Sequence, residues 1–187
     1  MKHLSLLLIH SLAISVFCIT LSVQAATSQI KELTLTSSVL GENLIGLTPE
    51  RTIRIYLPAS YAKGNKKYPV IYYFHSLGWS NEKFFADGKV QRTLDEAIRN
   101  GQLKDCILVA GDFTGPGLGS FYGNASSSGR WMDHITQELI PAIDQRFRTH
   151  PSANARAAVG DMIGAYAAIT LAMDYPGLFG SLYAMHP

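Results

Sequence analysis

Cysteine is almost missing from this chain: Cys18 and Cys106 are the only two among 187 residues. Cys18 lies in the N-terminal apolar run, and Cys106 alone cannot close an internal disulfide or build a thiolate metal site, so stability must come from an apolar core. Charge is also sparse. Asp, Glu, Lys and Arg make up 16% of the chain and the formal net charge is +2. No run of like charges exceeds the pair Lys66-Lys67, which reads as a solvated loop. A nucleic-acid partner, which needs a concentrated basic footprint, is therefore not expected. No histidine pair stands at ligand spacing, so no metal is expected. Gly115-Pro116-Gly117-Leu118-Gly119 is glycine-rich but no Lys-Ser/Thr follows it, so it is not a phosphate loop, and no cofactor is implied. There is no internal repeat and no interdomain linker. Hydrophobic residues, by contrast, form 47% of the chain, enough for one well-packed domain.

The only long apolar run is N-terminal. Lys2 and His3 precede an apolar stretch over 4–21, and Val23-Gln24-Ala25 offers small residues at cleavage positions. This pattern predicts a secretory signal over 1–25 and a mature domain over 26–187, secreted or periplasmic, with no stable membrane anchor after cleavage. Cys18 would leave with the signal, and Cys106 would be the only cysteine retained.

Strand-like and helix-like stretches alternate in the rest. Apolar/polar alternation predicts half-buried strands over 30–39 and 51–57, and continuous apolar β-prone runs predict buried strands over 70–74, 106–110, 155–160 and 180–185. Helical spacing predicts a helix over 90–98 with Leu94, Ala97 and Ile98 on one face, stopped near Gly101. A second helix carries Ile135, Leu139, Ile143 and Phe147 on one face, with a kink at Pro141, and a third spans 163–173 before Pro176-Gly177. Residues 111–129, rich in Gly and Ser, read as a surface loop. Strands separated by helices of this length predict a mostly parallel sheet with helices on both faces, an α/β fold.

Three segments bear on chemistry. In Tyr68-Pro69-Val70-Ile71-Tyr72-Tyr73-Phe74-His75-Ser76-Leu77-Gly78 an apolar strand runs into a turn that can point a backbone N–H into a cleft. The loop from Ser120 to Trp131 leads into an amphipathic helix, and Phe121, Tyr122 and Trp131, with His75, are candidates to line a pocket. In Ala157-Ala158-Val159-Gly160-Asp161-Met162-Ile163-Gly164-Ala165-Tyr166, a strand, a tight Gly-x-x-x-Gly turn and a helix follow in order. That is the context of a G-x-S-x-G elbow, in which Gly160 and Gly164 allow the close approach of helix to strand, and the central residue here is Met162.

These segments, with Arg51-Thr52-Ile53-Arg54-Ile55-Tyr56-Leu57-Pro58, the helix 136–144 and Tyr175-Pro176-Gly177-Leu178-Phe179-Gly180-Ser181, resemble the putative-esterase family of α/β hydrolases. That family includes S-formylglutathione hydrolases, feruloyl and acetyl-xylan esterases, enterochelin esterases and mycolyltransferases. The resemblance covers the chain from about Ile30 onward. It implies an α/β-hydrolase fold and a Ser-Asp-His triad for carboxylic-ester hydrolysis, with Met162 at the nucleophile position. The oxyanion donors it implies are the backbone N–H groups of Leu77 (or Ser76) and Ile163. His75 matches the histidine before the oxyanion turn, not the triad histidine. The triad Asp and His are expected beyond Pro187, so 26–187 is read as the N-terminal two-thirds of the domain, an incomplete sheet. A thioether has no ionisable proton and cannot carry acyl transfer. Asp161 is a poor substitute, because an elbow centred on it would put Val159 and Ile163 at the two crowded glycine positions. The expectation is an inactive esterase relative. The alternatives are a pseudoenzyme that binds an acyl or sugar ligand, or a gene fragment without function.

Overall fold

The computed structural model describes residues 26–117 and 119–187; the expected signal segment 1–25 and Leu118 lie outside the described residues. Six strands form one sheet: β1 (Gln29–Thr36), β2 (Glu50–Leu57), β3 (Val70–Phe74), β4 (Ile107–Gly111), β7 (Arg156–Asp161) and β8 (Ser181–Met185), in the order β1-β2-β4-β3-β7-β8. The first three neighbours pair antiparallel and the last four strands run parallel, with Ile71 in register with both Leu108 and Ala157. A two-stranded hairpin, β5 (Asn124–Ala125) and β6 (Gly129–Arg130), interrupts the glycine-rich loop. The α/β architecture thus has the layers that the alternating runs imply, with all four expected buried strands parallel.

Strict alternation along the strands explains the layers. Ile53, Ile55, Val70, Tyr72, Phe74, Ile107 and Val109 point to one face, where they meet Ile135, Leu139, Ile143, Ala167, Ala168 and Leu171 from the helices after β6 and β7. Tyr56, Ile71, Tyr73, Leu108 and Ala110 point to the other, against α1 (Asn81–Phe85) and α2 (Lys89–Arg99). Successive side chains on a strand alternate in direction, so continuous apolar runs are what a sheet covered on both faces requires.

Four differences from the expected elements have local causes. β1 stops at Thr36, short of Val39, because Glu138 accepts the backbone N–H groups of Ser38 and Val39 and bends the chain away from the sheet. α1 was not expected: five residues are too few to show a period, and its start rests on Ser80, whose hydroxyl accepts the Lys83 N–H at 3.1 Å. On α2 the inward residues are Val90, Leu94 and Ile98. Around Pro141 there is no simple kink. The helix runs as α3 (Trp131–Asp133), a π-helical stretch His134–Leu139 and α4 (Ile140–Arg146). Proline has no N–H to give the carbonyl four residues back, and widening the turns upstream lets the ladder pass that gap. Ile135, Leu139 and Ile143 remain on the buried face, while Phe147 caps α4 in extended conformation.

α5 (Ile163–Asp174) lies against β7, β8 and β3, with Ala165, Ala167, Ala168 and Leu171 fully buried. Beside it, β8 is the sheet edge, and Leu182 and Tyr183 are exposed there. Among the described residues no helix is long and apolar enough to cross a membrane.

Candidate functional site

The turn from β7 into α5 is tightly constrained backbone. Met162 occupies φ 50°, ψ −114°, a region that side-chain-bearing residues rarely adopt. Its N–H donates to the Met185 carbonyl at 2.9 Å, and its own carbonyl accepts from Ala165 and Tyr166 as the first turn of the helix closes. Met162 is 57% exposed, so the turn thrusts its side chain outward, above the carboxyl edge of the parallel strands.

Gly160 and Gly164 make this turn possible. A Cβ on Gly160 would lie 2.0 Å from the Gly164 carbonyl oxygen, and one on Gly164 would lie 2.0 Å from that of Phe74. The helix therefore seats its first turn directly on the ends of β7 and β3. Among the described residues the N–H groups of Ile163 and Leu77 meet no acceptor. Only glycine relieves the conformation of Met162 without a cost. Met162→Gly should raise stability by about 1 kcal/mol, the strain released less the added unfolded-state entropy. Chemical denaturation measures this, and a variant less stable than the parent would contradict the strain.

The four residues expected to line a pocket separate in space. His75 and Tyr122 are buried under the turn after β3. His75 Nε2 accepts the Phe113 N–H at 3.1 Å, which leaves the proton on Nδ1, 2.9 Å from the Ser76 carbonyl oxygen. Burial lowers the His75 pKa, so the ring is a neutral clamp between the ends of β3 and β4. The Tyr122 hydroxyl donates to the His75 carbonyl at 2.7 Å, and burial pushes its pKa well up. Both therefore support the turn from below instead of lining a cavity. Phe121 is exposed and, with Trp131, borders a small cleft of about 180 Å³ at the hairpin; no residue of the Gly160–Gly164 turn lines that cleft. Trp131 is otherwise buried, its Nε1–H donating to the Ser128 carbonyl at 2.9 Å.

The Met162 turn has other neighbours. Asp161, at the end of β7, accepts from His186 Nδ1 at 2.8 Å, and His186 itself adopts φ 48°. A cleft of about 420 Å³ runs from Asp161 past Tyr73 and Phe84, whose rings stack at 3.9 Å, to Trp79 and Lys83. A second cleft of about 590 Å³ lies on the far side of Trp79, between Arg54, Asp112 and the loop residues Thr114, Gly115, Gly117 and Gly119. Buried Arg51 steadies that loop, donating to the carbonyls of Thr114 and Thr48 and lying 3.5 Å from Asp112. Nothing in the local sequence marks Trp79 or Asp112, and the segment that begins at Arg51 gives that residue no role at the site; only the sheet order brings them together. Among the described residues no cluster of three or more His, Cys, Asp or Glu could hold a metal.

Similarity to known proteins agrees with this geometry. The chain is 23% identical over 143 residues to the uncharacterised protein YjcH of Bacillus subtilis, covering 75% of this chain and 57% of that one. It is 29% identical over 139 residues to an endo-1,4-beta-xylanase/feruloyl esterase of Xylanibacter ruminicola, covering 70% of this chain and 18% of that protein. A solved ferulic acid esterase superposes with a TM-score of 0.72 at 22% identity over 85% of this chain and 57% of its own. The chain thus spans little more than half of the Bacillus protein and of the solved esterase. The model of the "Putative esterase" family matches residues 46–187. With its mostly parallel sheet and its glycine-flanked strand-turn-helix, the chain belongs to that esterase family, of the α/β-hydrolase type.

Proposed function

We propose that this protein is a non-hydrolysing member of its family, one that keeps the elbow and its N–H donors but forms no acyl-enzyme. The observation that supports this is Met162 at the exposed apex, where esterases of this mechanism need a hydroxyl nucleophile. A thioether holds no proton for a base to remove, and its attack on an ester would leave an unstable sulfonium. Leu77 and Ile163 would supply the oxyanion donors, since backbone N–H groups do not depend on side chain. The chain as purified should hydrolyse p-nitrophenyl acetate no faster than a control protein, and a fluorophosphonate probe should leave no adduct in its mass spectrum. Saturable turnover that persists through repurification, or an adduct, would overturn the reading, and Asp161 would then be the first residue to mutate.

A ligand-holding role is the second reading. It is favoured by the two clefts that flank Trp79 at the carboxyl edge of the parallel strands, where α/β proteins place their ligands. The leader pattern of 1–25 supports export. A mature N-terminus at Ala26 in the mass spectrum is the expected result, and Met1 retained on soluble protein would speak against it.

A further inference from the structure

Met162 takes no part in acyl transfer, but a thioether is not inert. Its sulfur lone pair attacks peroxides, and the product is a sulfoxide. The residue is 57% exposed, on a turn fixed by two crowded glycines. The other oxidisable sulfurs among the described residues are mostly shielded. Met132 is buried and Met185 is half-buried. Cys106 is buried as well, and burial pushes its thiol up to about 11, so little of it is the reactive thiolate. Among these, Met173 alone, 73% exposed on α5, meets solvent more freely than Met162.

What separates the two methionines is the backbone around them. The first turn of α5 sits on the carbonyls of Phe74 and His75, so the turn after β3, which carries Leu77, comes alongside the elbow. The N–H groups of Leu77 and Ile163, from two different elements, meet no acceptor among the described residues. A thioether gives them almost nothing, because its sulfur is a weak acceptor. A sulfoxide oxygen carries much of a negative charge and accepts strongly. The order of atoms makes it fit. A serine-bound tetrahedral adduct runs Cβ–Oγ–C–O, and its oxyanion is what such N–H groups address. Methionine sulfoxide runs Cβ–Cγ–Sδ–O, placing its oxygen the same number of bonds from Cβ, through a centre that is likewise pyramidal. The Cε methyl takes the place of the acyl group. Met173, in contrast, projects from the body of α5, where backbone N–H groups are used in the helical ladder.

We propose that Met162 is a redox-modification site: a hydroperoxide converts its thioether to the sulfoxide, and the N–H groups of Leu77 and Ile163 hold the new oxygen. The sulfur lone pair attacks the distal peroxide oxygen, and the S–O bond forms as the O–O bond breaks. The departing oxygen takes the hydroxyl proton and leaves as water or an alcohol. Sulfur gives up two electrons and the peroxide receives them. The chain then fills its own oxyanion site with an uncharged mimic of an acyl adduct, and a sulfoxide reductase restores the thioether. This rests on the elbow and donors of the non-hydrolysing reading and adds what they hold. Sulfoxide sulfur is a stereocentre, and donors that address one side of it select one epimer.

Limiting hydrogen peroxide added to the protein tests this, with fragment masses locating each added oxygen. Met162 should be oxidised ahead of Met173, although it is the less exposed, because the same donors stabilise the charge that develops on the peroxide oxygens. After digestion, the two reductases that each accept one sulfoxide epimer read the stereochemistry. One epimer should exceed the other about 10-fold at Met162, the ratio that one good hydrogen bond supports, while Met173 gives nearly equal amounts. By NMR of the oxidised protein, the Leu77 and Ile163 amide protons should move downfield and exchange with solvent about 10-fold more slowly. Equal epimers at Met162, unchanged Leu77 and Ile163 amides, or prior oxidation of Met173 would each overturn the proposal. Every arm uses the unaltered chain, so the folding of a variant does not enter. Failure here leaves the non-hydrolysing reading standing, since that reading falls only on turnover or a covalent fluorophosphonate adduct.

Discussion

Replacing Gly164 by alanine should leave almost no folded protein. The added methyl would sit 2.0 Å from the Phe74 carbonyl oxygen, 2.6 Å from its carbon and 3.0 Å from the His75 carbonyl oxygen. These are backbone atoms at the end of the central strand, and no rotamer change can move them. Relief requires α5 to lift off β3. Doing so would open the packing of Ala165, Ala167, Ala168 and Leu171, all fully buried against the sheet. A core of this density does not absorb such a shift, and the loss should exceed about 4–5 kcal/mol, most of the stability of an ordinary domain. Gly160→Ala should behave alike, its methyl falling 2.0 Å from the Gly164 carbonyl oxygen. The control is Gly64→Ala, at φ 71° with nothing within 4 Å, which should cost only the left-handed penalty of about 1 kcal/mol. Soluble yield and urea midpoints of the three variants are the measurement. A Gly164→Ala protein that melts within a few degrees of the parent would mean that α5 does not seat on β3 as described.

The same two glycines show which parts of this molecule were legible in its sequence. A Gly-x-x-x-Gly turn between an apolar run and a small-residue helix is a local pattern with a local cause, and it appears where expected, with the strained residue at its centre. The buried strands were equally plain, since 70–74 and 106–110 are apolar on both alternating sets of positions. What escaped depends on contacts distant along the chain. Phe121 and Tyr122 are neighbours of one chemical type, yet Phe121 faces solvent and the Tyr122 hydroxyl closes on the His75 carbonyl, 47 positions away. No periodicity distinguishes them. Trp79 carries no local signal, and it divides two clefts only because β4 inserts between β2 and β3 in the sheet. The end of β1 was misplaced for the same reason, since Glu138, some 100 residues on, decides it.

That glutamate should prove the costliest polar residue to neutralise. Its Oε1 accepts from the Ser38 N–H, the Ser38 hydroxyl and the Val39 N–H at 2.8, 2.7 and 3.3 Å; its Oε2 accepts from the Ser37 hydroxyl and from His134 Nδ1 at 2.8 Å. Five donors converge on two oxygens, tying the chain leaving β1 to the π-helical segment. Burial opposes the charge, but the bonds from Ser37, His134 and Ser38 outweigh it and hold the carboxyl at about 2. Glu138→Gln is nearly isosteric, yet it turns one acceptor into a donor facing donors, so the expected loss at pH 7 is about 2–3 kcal/mol. The pH dependence follows from the direction of the shift. A carboxyl with a folded pKa below its ordinary 4.5 contributes fully above that value and loses the contribution as pH falls through the folded value of about 2. The gap between parent and Glu138→Gln in denaturant midpoint should therefore narrow as pH falls from about 4.5 toward pH 3. His75 adds a separate slope common to both proteins: burial lowers its imidazole, so stability also falls as pH drops below about 6.5. Subtracting one curve from the other removes that shared part and leaves the Glu138–His134 pair. Equal gaps at pH 7 and pH 3 would show that Glu138 acts by shape and not by charge, and that the turn after β1 is held by packing of Leu40 and its neighbours instead.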